Sequence, residues 1–155
     1  MTDDLSSRIA HFLDGYHVMS LATCGPQGPH AANLFFARDG FALVWVSEAS
    51  SRHSQDIEAD GRAAVTVAPD YTDFPLIRGV QISGFARHIA EADERSRLLH
   101  LLQARYPFLS ALDDAPAGLR AAYERVQVYR LDPARIVLID NTKGFGHKEV
   151  LDLHG

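Results

Sequence analysis

Between residues 16 and 47, three short apolar segments are separated by turn signals, and this constrains the chain more than any other feature. The segments are 16–24 (YHVMSLATC), 30–38 and 41–47, divided by Gly25-Pro-Gln-Gly28-Pro29 and by Asp39-Gly40. Glycine with proline or aspartate between β-rich runs marks tight reversals, so these read as three consecutive antiparallel strands. Residues 62–68 and 77–90 read as a fourth and a long fifth strand, with Gly84 a candidate bulge and 69–76 an irregular loop between them. Residues 126–131 and 135–141 read as late strands, and 148–153 as a last short one. The expected class is mainly β with peripheral α, an antiparallel barrel rather than a doubly wound sheet.

Helical spacing places the flanking elements. Leu5, Ile9, Phe12 and Leu13 share one face of a helix over 5–13, which Asp3, Asp4 or Ser6 would cap. Residues 50–60 predict a second helix closed by Gly61. Residues 91–106, with Leu98, Leu99, Leu101 and Leu102, predict a third, and 116–125 a fourth. Residues 1–155 read as a single domain, since 155 residues bury enough surface to fold without staples.

Composition excludes several classes. Fifteen Lys and Arg against twenty Asp and Glu give −5, which argues against a broad nucleic-acid surface. No apolar run spans a bilayer, and the acidic start Met1-Thr2-Asp3-Asp4 is unlike a signal peptide. Cys24 stands alone, so no internal disulfide forms; this suits a cytoplasmic location, with Cys24 as a small buried apolar residue. The eight histidines, at 11, 17, 30, 53, 88, 100, 147 and 154, form no zinc motif. No P-loop, dinucleotide fingerprint or G-x-S-x-G elbow occurs.

One stretch carries chemistry. Ser47-Glu-Ala-Ser50-Ser51-Arg52-His53 follows a strand and opens a helix, with Ser50 or Ser51 at the N-cap. Arg52 and His53 then sit in the first turn, where the helix dipole disfavours cations. A bound anion would remove the conflict, because free N–H groups, hydroxyls and a guanidinium make a phosphate cradle. Equally, Asp56 and Glu58 could answer the two charges in a solvated helix start. A second polar stretch, Asp140-Asn-Thr-Lys-Gly-Phe-Gly-His147, sets Phe145 between two glycines. Lys143 and His147 there could meet a polar ring edge or phosphate, or Phe145 could simply fold onto the core.

Three passages, HVMSLATCGPQGPHAANLFF (17–36), FALVWVSEASSRHSQDIEADGRAAVTV (41–67) and IRGVQISGFARHI (77–89), resemble the pyridoxamine 5′-phosphate oxidase-like family of FMN-binding split-barrel proteins. The resemblance runs over nearly the whole chain and is closest to small, poorly characterised bacterial members. It implies FMN as cofactor, with the phosphate held by Ser47, Ser51, Arg52 and His53. His53 stands where a lysine is common, which implies weaker or pH-dependent phosphate binding. The isoalloxazine would lie along His30, Ala31, Ala32 and Asn33, beside Val46. Gln81 and Ser83 are the candidates on the fifth strand, often supplied by a second protomer. Lys143 and Phe145 would close over the flavin across a homodimer.

The implied activity is an oxidoreductase passing hydride or electrons through FMN, with a small substrate or a donor such as NAD(P)H. No obligate acid–base residue stands out, which suits hydride transfer. A second arginine-rich set for a substrate phosphate is missing, Arg135 being the nearest candidate, so oxidation of vitamin B6 is not the expected activity. The alternatives are a non-catalytic flavin carrier or sensor, a haem-binding protein ligated through His17, His30 or His147, and a deazaflavin-binding protein.

Overall fold

The computed structural model describes residues 4–111 and 115–153. His154 lies outside the described residues, as do Met1, Thr2 and Asp3. The elements run α1 (Leu5–Asp14), β1 (Val18–Gly25), β2 (Gly28–Phe35), β3 (Ala37–Asp39), β4 (Ala42–Glu48), α2 (Arg52–Ala59), β5 (Arg62–Val67), β6 (Arg78–His88), α3 (Ala92–Arg105), α4 (Phe108–Ala111), α5 (Ala117–Glu124), β7 (Val126–Asp140) and β8 (Lys148–Asp152). Short 3-10 turns occupy Phe74–Leu76 and Asn141–Lys143.

The strands form one antiparallel sheet in the order β2-β1-β5-β6-β7-β4-β3, with β8 added to β7. Only Phe36 separates β2 from β3, yet these are the two ends of that order. Cα atoms two residues apart lie within about 7 Å. The sheet must therefore curl until its ends nearly meet, which makes it a barrel. Its interior holds Met19, Leu21, Phe36, Leu43, Trp45, Val65, Ile82 and Leu131, with Ile9 and Leu13 of α1 packed against them. A second core lies outside the β3–β4–β7 wall, where Val44 and Val128 meet Leu98, Leu102, Tyr106 and Leu109 of the α3–α4 segment. The opposite outer wall, on β2, β1, β5 and β6, carries exposed Ser20, Asn33, Thr66, Gln81 and Ser83.

Several expectations are corrected. The 30–38 strand is broken at Phe36, where the chain crosses from one sheet end to the other. The late strands 126–131 and 135–141 are one strand, β7. Asp132 and Pro133 do not end it, because they lie at a register shift between Ser83 and Gly84 on β6. A Cβ on Gly84 would stand 2.1 Å from Asp132 O, so only glycine fits this bulge. Gly61 does not close α2 in a left-handed cap. The helix ends on extended Asp60, and Gly61 lies where a Cβ would press to 3.0 Å on Ala86 O. Cys24 is exposed, because alternation along β1 turns it to the outer face. Helix α4 falls within a stretch for which no element was expected. Of the three candidate caps for α1, Asp4 accepts from Ser7 N at 2.7 Å.

Candidate functional site

The barrel is split along one line. Strand β3 pairs with β4 only over Ala42, Leu43 and Val44, so among the described residues the rest of β4 has β7 on one side and no strand on the other. β2 likewise has only β1. Hydrogen-bond alternation fixes which backbone groups face the split. Phe36 N–H donates to His17 O at 3.1 Å, so Leu34, Ala32 and His30 bond to β1. The backbones of Asn33, Ala31 and Pro29 turn to the free edge, where the proline costs no ladder bond. Across the split, Ile89 N–H donates to Val128 O at 2.9 Å, turning that carbonyl to the β6 side. Val46, opposite Val128, therefore directs its own backbone away from β7 into the split.

At one end of the split lies the β4–α2 turn. Ser51 caps α2, its Oγ accepting from Ser54 N at 3.3 Å. The same hydroxyl lies 2.9 Å from Glu48 O and 3.2 Å from His53 Nε2. His53 is buried, and its Nε2 is 2.7 Å from Ser47 Oγ, also buried. The His30 ring, on the inward face of β2, stacks parallel to that of His53 at 6.4 Å. Burial pushes the His53 pKa down, the neighbouring His30 pushes it further, and Asp56 opposes both. Arg52 is exposed, reaching Pro29 O at 3.4 Å and Gln27 O at 3.5 Å.

The solvated-helix reading asks for carboxylates beside Arg52 and His53. Among the described residues no carboxylate pairs with Arg52, and Glu58 is exposed. Asp56 is buried and accepts from Thr23 Oγ1 at 2.8 Å, tying α2 to β1. It lies directly over Gly25, where a Cβ would come to 1.9 Å from Asp56 Oδ1. The sequence showed Gly25 as a turn residue, whereas its structural demand is this close approach. The turn thus gathers Ser47, Ser51, Arg52, His53 and His30 around the first turn of a helix, donors suited to an anion.

The other candidates fall elsewhere. Asn33 and Val46 share one pocket with Phe35, Leu102, Tyr106 and Phe108. Ala31 is exposed and Ala32 half-buried opposite Leu21. Gln81 and Ser83 sit on the open outer wall, in register with Val137 and Arg135, and Arg135 is exposed there. Lys143 and Phe145 lie beyond the far end of β7, since Ser47 pairs with Gln127 near its start. Lys143 Nζ is 3.5 Å from Glu149, and Phe145 is 88% exposed beside Phe74. Nothing among the described residues brings that loop to the β4–α2 turn. Thr23, Asp56, Phe35, Tyr106 and Phe108 were not singled out for these roles from the sequence, and no local motif marks them.

A curled antiparallel sheet, split along one edge and carrying a polar turn at that split, defines the split-barrel class. The pyridoxamine 5′-phosphate oxidase family model matches residues 5–142, and the chain belongs to that family. It is 30% identical over 149 residues to the UPF0306 protein of Serratia proteamaculans, covering 95% of this chain and 94% of that one. Among solved structures, a heme binding protein from Mycobacterium smegmatis matches 98% of this chain and 60% of its own, with TM-score 0.73 and 20% identity. General Stress Protein 26 from Bacillus anthracis matches 96% and 98%, with TM-score 0.66 and 18% identity. At these identities the structural likeness is one of fold.

Among the described residues, no helix is long and apolar enough to cross a membrane, and no cluster of His, Cys, Asp and Glu suits a metal ion.

Proposed function

We propose that this protein binds FMN and acts as an FMN-dependent oxidoreductase. The observation that carries the reading is Arg52, a guanidinium in the first turn of α2 with no carboxylate partner among the described residues, next to His53, whose Nε2 meets the Ser47 and Ser51 hydroxyls. These residues would hold the phosphate, and the backbones of Ala31, Asn33 and Val46 offer donors and acceptors for the polar edge of a ring in the split. When bound, FMN supplies hydride and electron transfer. The chain's part is to orient the ring and to exclude water along the split.

A homodimer fits this reading. Among the described residues no helix covers Gln81 and Ser83 on the outer wall, and Lys143 and Phe145 would reach a cradle on a second copy rather than their own. NAD(P)H is the electron donor to test first. Reduction by NADPH or NADH separates an enzyme from a carrier or sensor. A haem would need His17, His30 or His147, yet none of them lines the pocket shared by Asn33 and Val46.

The test is an absorbance spectrum of purified protein, followed by FMN titration of the wild type and Arg52→Ala. The wild type should bind FMN, and the variant should bind it about 10–150-fold more weakly, the equivalent of about 1.5–3 kcal/mol for a charge-assisted bond. A wild-type protein that takes up haem or deazaflavin but no FMN, or equal FMN affinity in the two proteins, would overturn the assignment.

A further inference from the structure

The α3–α4 excursion builds a feature at the split that the phosphate cradle does not use. We propose that the pocket between β2 and this helical segment is the substrate seat, and that it takes a small, uncharged, planar ring compound with a hydrogen-bond acceptor rather than a phosphorylated one. This deepens the FMN reading, on which it rests for the pocket's place beside the reacting ring.

Phe35, Tyr106 and Phe108 form a triangle of rings, with centroids 5.2, 5.7 and 5.8 Å apart and planes tilted by 50 to 60°. These are favourable aromatic geometries. Phe35 and Phe108 nevertheless stay about half exposed, at 52% and 50%, so each keeps ring surface free for a further aromatic partner. Leu102 and Leu109 supply aliphatic walls, and Val46 and Asn33 join the pocket to the split. Its volume is about 190 Å³. An apolar cavity of roughly 150 Å³ accepts benzene. One ring or two fused rings are therefore the right size.

The charge pattern sets the chemical class. Among the described residues, no charged side chain lines the pocket. Arg105 is close in sequence, but its guanidinium is spent on the carbonyls of Leu13, Asp14 and Tyr16 and lies over the Phe36 and Tyr106 rings. A phosphate placed here would lose its water without gaining a cation. The Tyr106 hydroxyl is also engaged, with the Phe36 and His17 carbonyls beside it. Asn33 is the other polar side chain among the described lining residues. Its Oδ1 accepts from Ser20 Oγ at 2.8 Å, which leaves the amide NH₂ to donate to a carbonyl on a bound ring.

Coumarin is a suitable probe, being bicyclic, neutral and a carbonyl acceptor; a quinone would risk reacting with the exposed Cys24 thiol. Calorimetric titration of the full chain, with and without FMN, compares coumarin with pyridoxamine 5′-phosphate. Coumarin should bind saturably and at least tenfold more tightly than the phosphate compound. Phe35→Ala/Phe108→Ala should weaken coumarin at least tenfold, whereas Arg62→Ala, at an exposed arginine paired with Asp60, should leave coumarin unchanged. If the double variant fails to melt cooperatively, Asn33→Asp replaces it, with the same tenfold loss expected from a carboxylate facing the carbonyl. No saturable coumarin binding, equal or tighter binding of the phosphate compound, or unchanged affinity in a folded pocket variant would overturn the inference. FMN uptake is read separately by absorbance. Coumarin binding without FMN uptake would fell the flavin reading and leave the pocket as a ring-binding site.

Discussion

Two polar turns, one at each end of the molecule, carry the basic residues that the sequence singled out, and they are built in opposite ways. At the β4–α2 turn, Ser47 and His53 are buried, locked to one another and to Ser51, and backed by the Thr23–Asp56 bond. At the β7–β8 loop, Phe145 is almost wholly exposed, Gly144 and Gly146 have positive φ, and Lys143 has only a long contact to Glu149. The first turn is organised by its own chain. The backbone of the second is held too, by the Asp140 cap on Thr142 N–H and by Asn141, which bonds Ile77 O, Phe74 O and Gly146 N–H, but its Lys143 and Phe145 side chains are left standing out from the chain. The side chains of the first turn lose their freedom on folding, whereas Lys143 and Phe145 keep most of theirs.

The largest effect should come from disturbing the backing of the first turn. In Gly25→Ala the new methyl would overlap Asp56 Oδ1, a buried carboxylate on α2. Either Asp56 leaves Thr23 or α2 shifts from β1. A loss of about 1–3 kcal/mol in stability is expected from such overpacking, with weaker FMN binding alongside. Denaturant melts and FMN titration check both, and normal values in each would mean that the turn does not depend on this contact.

A smaller effect should appear with pH. His53 faces His30 from β2 and Asp56 from α2, Arg52 beside it in the helix turns to the Gln27 and Pro29 carbonyls, and Glu48 borders the turn from β4. In the free protein its pKa is lowered, so the ring is neutral at neutral pH. The sign for stability follows: this contribution is present above the ordinary histidine value of 6.5 and is lost as pH falls through it toward the folded pKa. A phosphate dianion beside the ring acts oppositely, favouring the charged form. FMN affinity should therefore rise as pH drops from 8 toward 6.5, by up to about tenfold per unit, equivalent to about 1.4 kcal/mol. His53→Gln should flatten the slope. A slope that survives in that variant would assign the proton to another group.

The difference between the two turns also marks what was legible in the sequence. Residues 47–53 were readable because capping and helix polarity are local, and the Ser51 cap follows from them. The Gly84 bulge was readable as a glycine inside a strand. The continuity of β7 was hidden, because Pro133 looks like a break unless one knows that it meets that bulge. The break at Phe36 was hidden for a related reason: Leu34, Phe35 and Phe36 form an unbroken apolar run, and only closure of the whole sheet divides it. The aromatic pocket joins Phe35 to Tyr106 and Phe108 across the length of α3, and no periodicity reports such a contact. The backing of the cradle was equally non-local, since Thr23 and Asp56 lie on different elements.

The smallest change in stability should accompany loss of the second turn's side chains, and that small change is informative. Lys143→Ala and Phe145→Ala remove groups that touch little of their own chain, so each should alter stability by no more than about 0.5 kcal/mol. If the loop completes a cradle on a second copy, the same variants should weaken FMN binding severalfold at concentrations where sedimentation shows dimer. They should have no such effect where it shows monomer. Equal FMN affinity of wild type and both variants in the dimer would confine binding to the first turn and its own split. A large loss of stability in the monomer would instead mean that these two side chains are held by their own chain, and the contrast between the two turns would fail.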